Sequence, residues 1–217
     1  MELLIIIALV ATSITTVTFI VERALALRAL RVIPNPLVDA VVNYGSSRDL
    51  TVLRAVCTQN PSPLARLLLF ACDHLDLPKT ENSALIETRA RYEISKLERG
   101  LVILEIIIGV APLLGLVGTI FGLIILFANV DVSAVSGSRQ FATGISTALN
   151  ATLLGLLIAI PALIFWSYFS RRVETFAVQM EALCDEFLRK HYRTTANSDQ
   201  AQGPDRTGRE ITAGKLH

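Results

Sequence analysis

Charge is scarce in this 217-residue chain. Asp, Glu, Lys and Arg make up 18% of it against 52% hydrophobic residues, and the mean hydropathy is +0.53. Ordinary soluble domains carry about 25% charged residues, so the apolar excess must face lipid or other chains. The same balance excludes disorder, and 12 glycines with 8 prolines are too few for a collagen-like repeat. Cysteine is equally sparse. Cys57, Cys72 and Cys184 are odd in number and lack C-x-x-C spacing, which excludes a disulfide framework and a zinc site and leaves them as reduced thiols. A net charge of +1 gives no basic bias toward nucleic acid and no acidic bias toward cationic ligands. There is no phosphate-binding Gly-rich loop, H-E-x-x-H helix or Ser/His/Asp set, and His74, His191 and His217 all lie outside the apolar runs. Neither an enzyme nor a cofactor or metal centre is expected.

What the chain does have is three long apolar runs. A bilayer core of about 30 Å needs about 20 such residues in a helix. The first run extends from Leu3 to Val21 without a charge, and Thr12, Ser13, Thr15, Thr16 and Thr18 make its second half polar. Their hydroxyls can bond back to their own helix. Glu2 stands where a signal peptide has basic residues, and no small-residue cleavage site follows Val21, so this run reads as a span. The second run extends from Leu101 to Phe127, with Glu105 near its start, and the third from Gly144 to Phe169. Residues 22–100 hold eleven Lys or Arg, residues 128–143 only Arg139, and residues 170–217 eight. By the positive-inside rule the long segment and the tail are cytoplasmic, and the N-terminus and the short hairpin lie on the far side.

The organisation expected is a first span at residues 1–21, a cytoplasmic helical domain at 22–100, a second span at 101–128, a hairpin at 129–143 and a third span at 144–169. A cytoplasmic helix at 170–193 and a disordered tail at 194–217 follow. Within the helical domain, short helices are expected from Asp49 to Cys57 and from Pro63 to His74. From Asn82 the positions Ile86, Ala90, Ile94, Leu97, Leu101, Leu104 and Ile108 keep helical spacing into the second span. Beyond the third span, Val173, Phe176, Met180, Leu183 and Phe187 form an apolar stripe that needs a packing partner, most simply the Asn82–Gly100 helix of the same chain.

Inside the spans, small residues recur four apart: Ala111, Gly115 and Thr119 with Gly118 and Gly122 in the second, and Thr147, Ala151, Gly155 and Ala159 in the third. Such stripes let helix backbones approach closely, and two of them suggest packing against several neighbours in a homo-oligomer. Pro112 and Pro161 bend their helices and each frees a carbonyl. Thr119 lies 18 residues beyond Leu101 and Thr152 lies 18 before Ser170, so each stands about 27 Å above the cytoplasmic end of its span. Asn150 is near the same level and Thr147 about one and a half turns higher. A belt of polar groups results, although any one threonine could simply bond its own helix. Glu105 is the only acid within the spans. Its place near the cytoplasmic end suits snorkelling, or pairing with Arg99 or a neighbouring subunit. A proton path needs a group that titrates in the membrane, so a second protein would have to bring it.

The stretches Ala111-Pro-Leu-Leu-Gly-Leu-Val-Gly-Thr-Ile-Phe-Gly122 and Gly144-Ile-Ser-Thr-Ala-Leu-Asn-Ala-Thr-Leu-Leu-Gly-Leu-Leu-Ile-Ala-Ile-Pro161 resemble the ExbB/TolQ/MotA proton-channel family, most closely its ExbB and TolQ branch. The Glu22-Arg23 pair that ends the first span is similar to that family too, as is Leu97-Glu-Arg-Gly-Leu101 at the entry to the second span. The resemblance implies an all-α integral membrane protein of the cell inner membrane, with three spans and long cytoplasmic helical extensions, assembling as a homopentamer. Its second and third spans would line a pore that holds a dimer of single-span partners of the ExbD/TolR type, whose membrane aspartate carries the protons. By position, Thr119 and Thr152 match the family's pore threonines and Glu105 its acid at the start of the second span, while Gly115, Gly118, Gly122, Gly155, Pro112 and Pro161 shape the pore and pack helices. Thr147 stands where members carry a glutamate, which leaves proton and sodium coupling both open.

The function implied is an ion-driven motor stator doing mechanical work through a TonB- or TolA-like protein, for TonB-dependent transport. A TolQ-like role in envelope integrity or a gliding-type motor is the alternative, and a structural scaffold without ion conduction is the reading of a different class.

Overall fold

The computed structural model describes residues 2–47, 49–128 and 137–201. Among them there are seven helices and no strand: α1 (Glu2–Ala26), α2 (Ala29–Val32), α3 (Asn35–Ser47), α4 (Leu50–Gln59), α5 (Pro63–Asp73), α6 (Lys79–Ala128) and α7 (Gly137–Ala201). Three stretches are long and apolar enough to cross a membrane: Leu4–Ala26, Lys79–Ala128 and Gly144–Arg193. The chain divides into two compact units, one of Met1–Arg28 and Ser95–Thr175 and the other of Ala29–Ile94 and Phe176–His217. Both α6 and α7 contribute to each.

The unit containing the spans joins α1 to the later half of α6 and the earlier half of α7. Thr12, Thr15, Thr16 and Thr18 each donate to the carbonyl four residues back at 2.7–2.8 Å, so the hydroxyl-rich half of α1 satisfies its own polar groups. Ile107, Ala111, Ala159 and Ala162 form a buried cluster backed by Ile103, Ile108 and Ile158. Large side chains such as Leu113, Ile120, Leu157 and Ile160 point outward, an arrangement suited to lipid or neighbouring chains.

In the other unit, α4 starts at the N-cap Asp49, which accepts from the Thr51 amide, and α5 at the N-cap Ser62 followed by Pro63. Helix α5 is buried along Leu64, Ala65, Leu67, Leu68, Ala71 and Cys72. Phe176, Met180, Cys184, Phe187 and Leu188 of α7 are buried too. Three consecutive residues of α7 clasp three places. Lys190 Nζ donates to the carbonyls of Val41 and Val42 (3.1 and 2.7 Å), the His191 ring meets the Tyr44 hydroxyl (2.9 Å), and the Tyr192 hydroxyl donates to the Leu77 carbonyl (2.6 Å). Asn82 of α6 donates in turn to Tyr192 (3.3 Å). The later part of α7 is therefore held against α3, where the Tyr44 ring also meets Phe187 (5.0 Å), and against α6 through Asn82.

Glu93 is wholly buried in this unit, held by Arg66 (2.6 and 2.9 Å) and by Arg89 (3.4 Å). Several boundaries differ from those read off the sequence. Helix α1 runs to Ala26 and α6 begins at Lys79. Helix α7 begins at Gly137, inside the expected hairpin, whose residues 129–136 lie outside the described residues. It also continues past Thr194 to Ala201, because the first strong helix breakers downstream are Gly203 and Pro204. The rest of the expected tail, residues 202–217, is outside the described residues.

Candidate ion pathway

The contact between α6 and α7 is built from residues without bulk. A Cβ placed on Gly115 would stand 2.8 Å from the Ala151 carbonyl oxygen and 2.9 Å from Thr152 Cα. One on Gly155 would stand 2.6 Å from the Ala111 carbonyl oxygen. Gly118 faces Ala151 at 2.7 Å and Gly122 faces Ala148 at 2.9 Å, measured the same way. The paired numbers run in opposite directions, so the two helices are antiparallel with their backbones in contact over about three turns. The stripes expected to receive several neighbouring subunits are occupied within one chain.

This close approach brings Thr119 and Thr152 together. Their hydroxyls hydrogen-bond to each other, and both lie within reach of the Gly115 carbonyl oxygen, at 3.0 Å from Thr119 Oγ1 and 3.2 Å from Thr152 Oγ1. Two hydroxyl protons serve three oxygens. One hydroxyl donates to the carbonyl and the other to its partner, leaving lone pairs to accept from a third group. Both side chains are half-buried. Threonine does not titrate in the accessible range, so the pair can hold, orient and pass a proton but cannot store one.

The other polar residues singled out in the sequence are dispersed. Asn150 precedes Thr152 by two residues, which turns it about 200° around α7, and it is exposed. Thr147 lies within the α7 backbone, and its side chain is outside the described residues. Glu105 is exposed on α6 and has no ion pair among the described residues, with Arg99 or any other. It lies 14 residues before Thr119, about 21 Å along the axis. Pro112 and Pro161 lie inside their helices and leave the Ile108 and Leu157 carbonyls without the usual amide partner. Sequence reasoning missed the Gly115 carbonyl, since a backbone acceptor has no side-chain signal beyond the glycine that lets the other helix approach. It also missed the buried Glu93, whose neighbours look like any charged helix surface.

Over 211 residues the chain is 30% identical to the Tol-Pal system protein TolQ of Pseudomonas aeruginosa, covering 90% of each chain. It is 31% identical over 163 residues to the ExbB-like 3 biopolymer transport protein of Synechocystis sp., covering 74% of this chain and 78% of that one. The biopolymer transport protein ExbB of Aquifex aeolicus is 30% identical over 113 residues, 52% of this chain and 74% of its own. Residues 60–182, which include both threonines and the small-residue contact, match the MotA/TolQ/ExbB proton channel family, and the chain belongs to it as a membrane protein of the ExbB and TolQ type.

Proposed function

We propose that this chain is the stator subunit of an ion-driven motor in the cell inner membrane. Five copies surround a pore that holds a dimer of an ExbD/TolR-like single-span protein, and proton flow through the assembly does mechanical work on a TonB-like protein for TonB-dependent transport. The N-terminus is periplasmic and the C-terminus cytoplasmic, in keeping with the Lys and Arg distribution. The observation that carries the reading is the Thr119–Thr152 hydroxyl pair on the Gly115 carbonyl. It is a polar, non-titrating relay in a chain with no acid in its spans except Glu105, so it suits a protein that receives a titrating carboxylate from elsewhere.

In this reading the pair accepts a hydrogen bond from the partner's protonated carboxylic acid and donates to it once it is ionised. Rotation of the two hydroxyls exchanges these roles without moving the helices. Thr147, Asn150 and Glu105 serve the water-filled approaches on either side. Proton coupling follows the family, with sodium as the competing ion because hydroxyl and carbonyl oxygens also suit it. A Tol-type role in envelope integrity is the second reading, favoured by the 90% coverage of both chains in the TolQ comparison.

The test is proton and sodium flux in proteoliposomes that hold the complex purified from its native host, together with transporter-dependent uptake and detergent sensitivity of the cells. Thr119→Val and Thr152→Val are expected to abolish flux at normal protein levels. Full flux in both variants, or no flux from the unaltered complex as a pure scaffold requires, overturns the proposal. Uptake and detergent sensitivity distinguish the TonB from the Tol reading.

A further inference from the structure

The motifs Glu22-Arg23 and Leu97-Glu-Arg-Gly-Leu101 meet in the fold, away from the hydroxyl pair. Glycine weakens a helix interior, and of the five glycines inside α6 all but Gly109 abut another group. Gly115, Gly118 and Gly122 admit α7. Gly100 admits Arg23: a Cβ there would collide with Nε, Cζ and Nη2 of the guanidinium. The Arg23 side chain is only 13% exposed. Its Nη1 donates to the Leu97 carbonyl (3.2 Å) and its Nη2 to Glu22 (2.8 Å), while Nε is buried without a partner. A cation at the end of α1 is thus seated on the α6 backbone at the cost of one unsatisfied donor, in a notch that exists only because residue 100 lacks a side chain.

The other end of α1 has a matching contact. Ile5 Cγ2 lies 3.3 Å from where a Cβ of Gly118 would stand. Arg23 and Ile5 are 18 residues apart, and so are Gly100 and Gly118. The two antiparallel helices therefore keep one register over about 27 Å, from one glycine notch to the next. Gly118 is also where Ala151 of α7 touches α6, and the residues that follow the two, Thr119 and Thr152, are the hydroxyl pair. A slip of α1 by one residue would move Ile5 about 1.5 Å along this junction.

We propose that Arg23, seated in the Gly100 notch, is a positioning residue that locks the register of α1 on α6 and so holds Thr119 against Thr152. The proposal rests on the stator reading. It is tested on the full-length complex in proteoliposomes by measuring proton flux per assembled complex beside the melting temperature. Gly100→Ala adds one methyl group and displaces the guanidinium; Arg23→Ala removes it. Both are expected to lower flux about tenfold or more, as misplacements of about 1 Å do elsewhere, with assembly and melting temperature near those of the unaltered complex.

Because both variants act on one lock, the double variant is expected to be no worse than Arg23→Ala, and Arg23→Lys to recover part of the flux. Full flux in Gly100→Ala, additive losses in the double variant, or losses that only track the amount of assembled complex would each overturn the lock. Thr119→Val measured alongside separates the two ideas. If it is inactive while Gly100→Ala is fully active, the lock alone falls; if Thr119→Val and Thr152→Val are both fully active, the stator reading falls with it.

Discussion

Replacing Gly155 by alanine tests whether the backbone contact between α6 and α7 builds the hydroxyl pair. The new Cβ would stand 2.6 Å from the Ala111 carbonyl oxygen and 3.2 Å from Gly115 Cα, where ordinary contact begins at 3.4 Å. These are backbone atoms, so no side chain can rotate away and the helices must separate locally by about 0.8 Å. The same separation applied to the Thr152 Oγ1 to Gly115 carbonyl distance of 3.2 Å gives about 4 Å, beyond hydrogen-bonding range. Overpacking of this kind costs about 1–3 kcal/mol, and each interhelical hydrogen bond lost in a membrane about 0.6 kcal/mol. With two such bonds at risk, the expected destabilisation is about 2–4 kcal/mol, together with a loss of proton flux. Thermal unfolding in detergent and flux in proteoliposomes measure the two effects. Gly109→Ala controls for the methyl group itself, since a Cβ at Gly109 meets nothing within 4 Å. If Gly155→Ala melts with the unaltered protein and conducts normally, the contact does not position Thr119 and Thr152, and the reasoning fails.

Two further predictions concern the unit formed by α2–α5 and the adjoining parts of α6 and α7. Glu93 is wholly buried while Arg66 and Arg89 are partly exposed, so the ion pair should be asymmetric. Arg66→Ala takes the nearer arginine from a buried carboxylate, leaving Arg89 at 3.4 Å, and is expected to cost about 3 kcal/mol, whereas Glu93→Gln leaves arginines that can reach water and should cost clearly less; equal losses in denaturant unfolding would contradict this. Burial raises the thiols of Cys57, Cys72 and Cys184 to about 11, 12 and 12 from an ordinary 9.0. At pH 8 their thiolate populations are therefore at least about 100-fold below those of free cysteines, so maleimide should label the folded protein slowly and the unfolded protein fast. The raised values also make folding favour the protonated thiols, so their contribution to stability is complete below pH 9 and is lost as pH rises toward 11 and 12. Rapid labelling of the folded chain, or stability that climbs with pH in that range, would refute the burial argument.

Height was legible in the sequence and direction was not. Counting 18 residues from Leu101 and from Ser170 placed Thr119 and Thr152 at one level, and their hydroxyls do meet. The same count grouped Asn150 with them, but two residues along a helix is more than half a turn, and it faces elsewhere. The small-residue stripes were equally visible, but helical spacing announces a close-packing face without naming what fills it. Gly115, Gly118, Gly122 and Gly155 are filled by the other helix of the same hairpin. The copies in the proposed ring must therefore be held by other surfaces, among them the outward faces bearing Leu113, Ile120, Leu157 and Ile160.

That reassignment changes how the ring would work. Had the stripes packed between subunits, the hydroxyl pair would exist only after assembly, at each subunit boundary. Because Thr119, Thr152 and the Gly115 carbonyl belong to one chain, every copy carries the complete hydroxyl pair. In the proposed ring five subunits would offer the proposed partner's carboxylate five equivalent stations. A single defective copy should remove one station and leave the others intact. Mixing Thr119→Val subunits with Thr152→Val subunits should therefore give a ring with no intact station, whereas relays shared across boundaries would survive wherever an intact Thr119 met an intact Thr152.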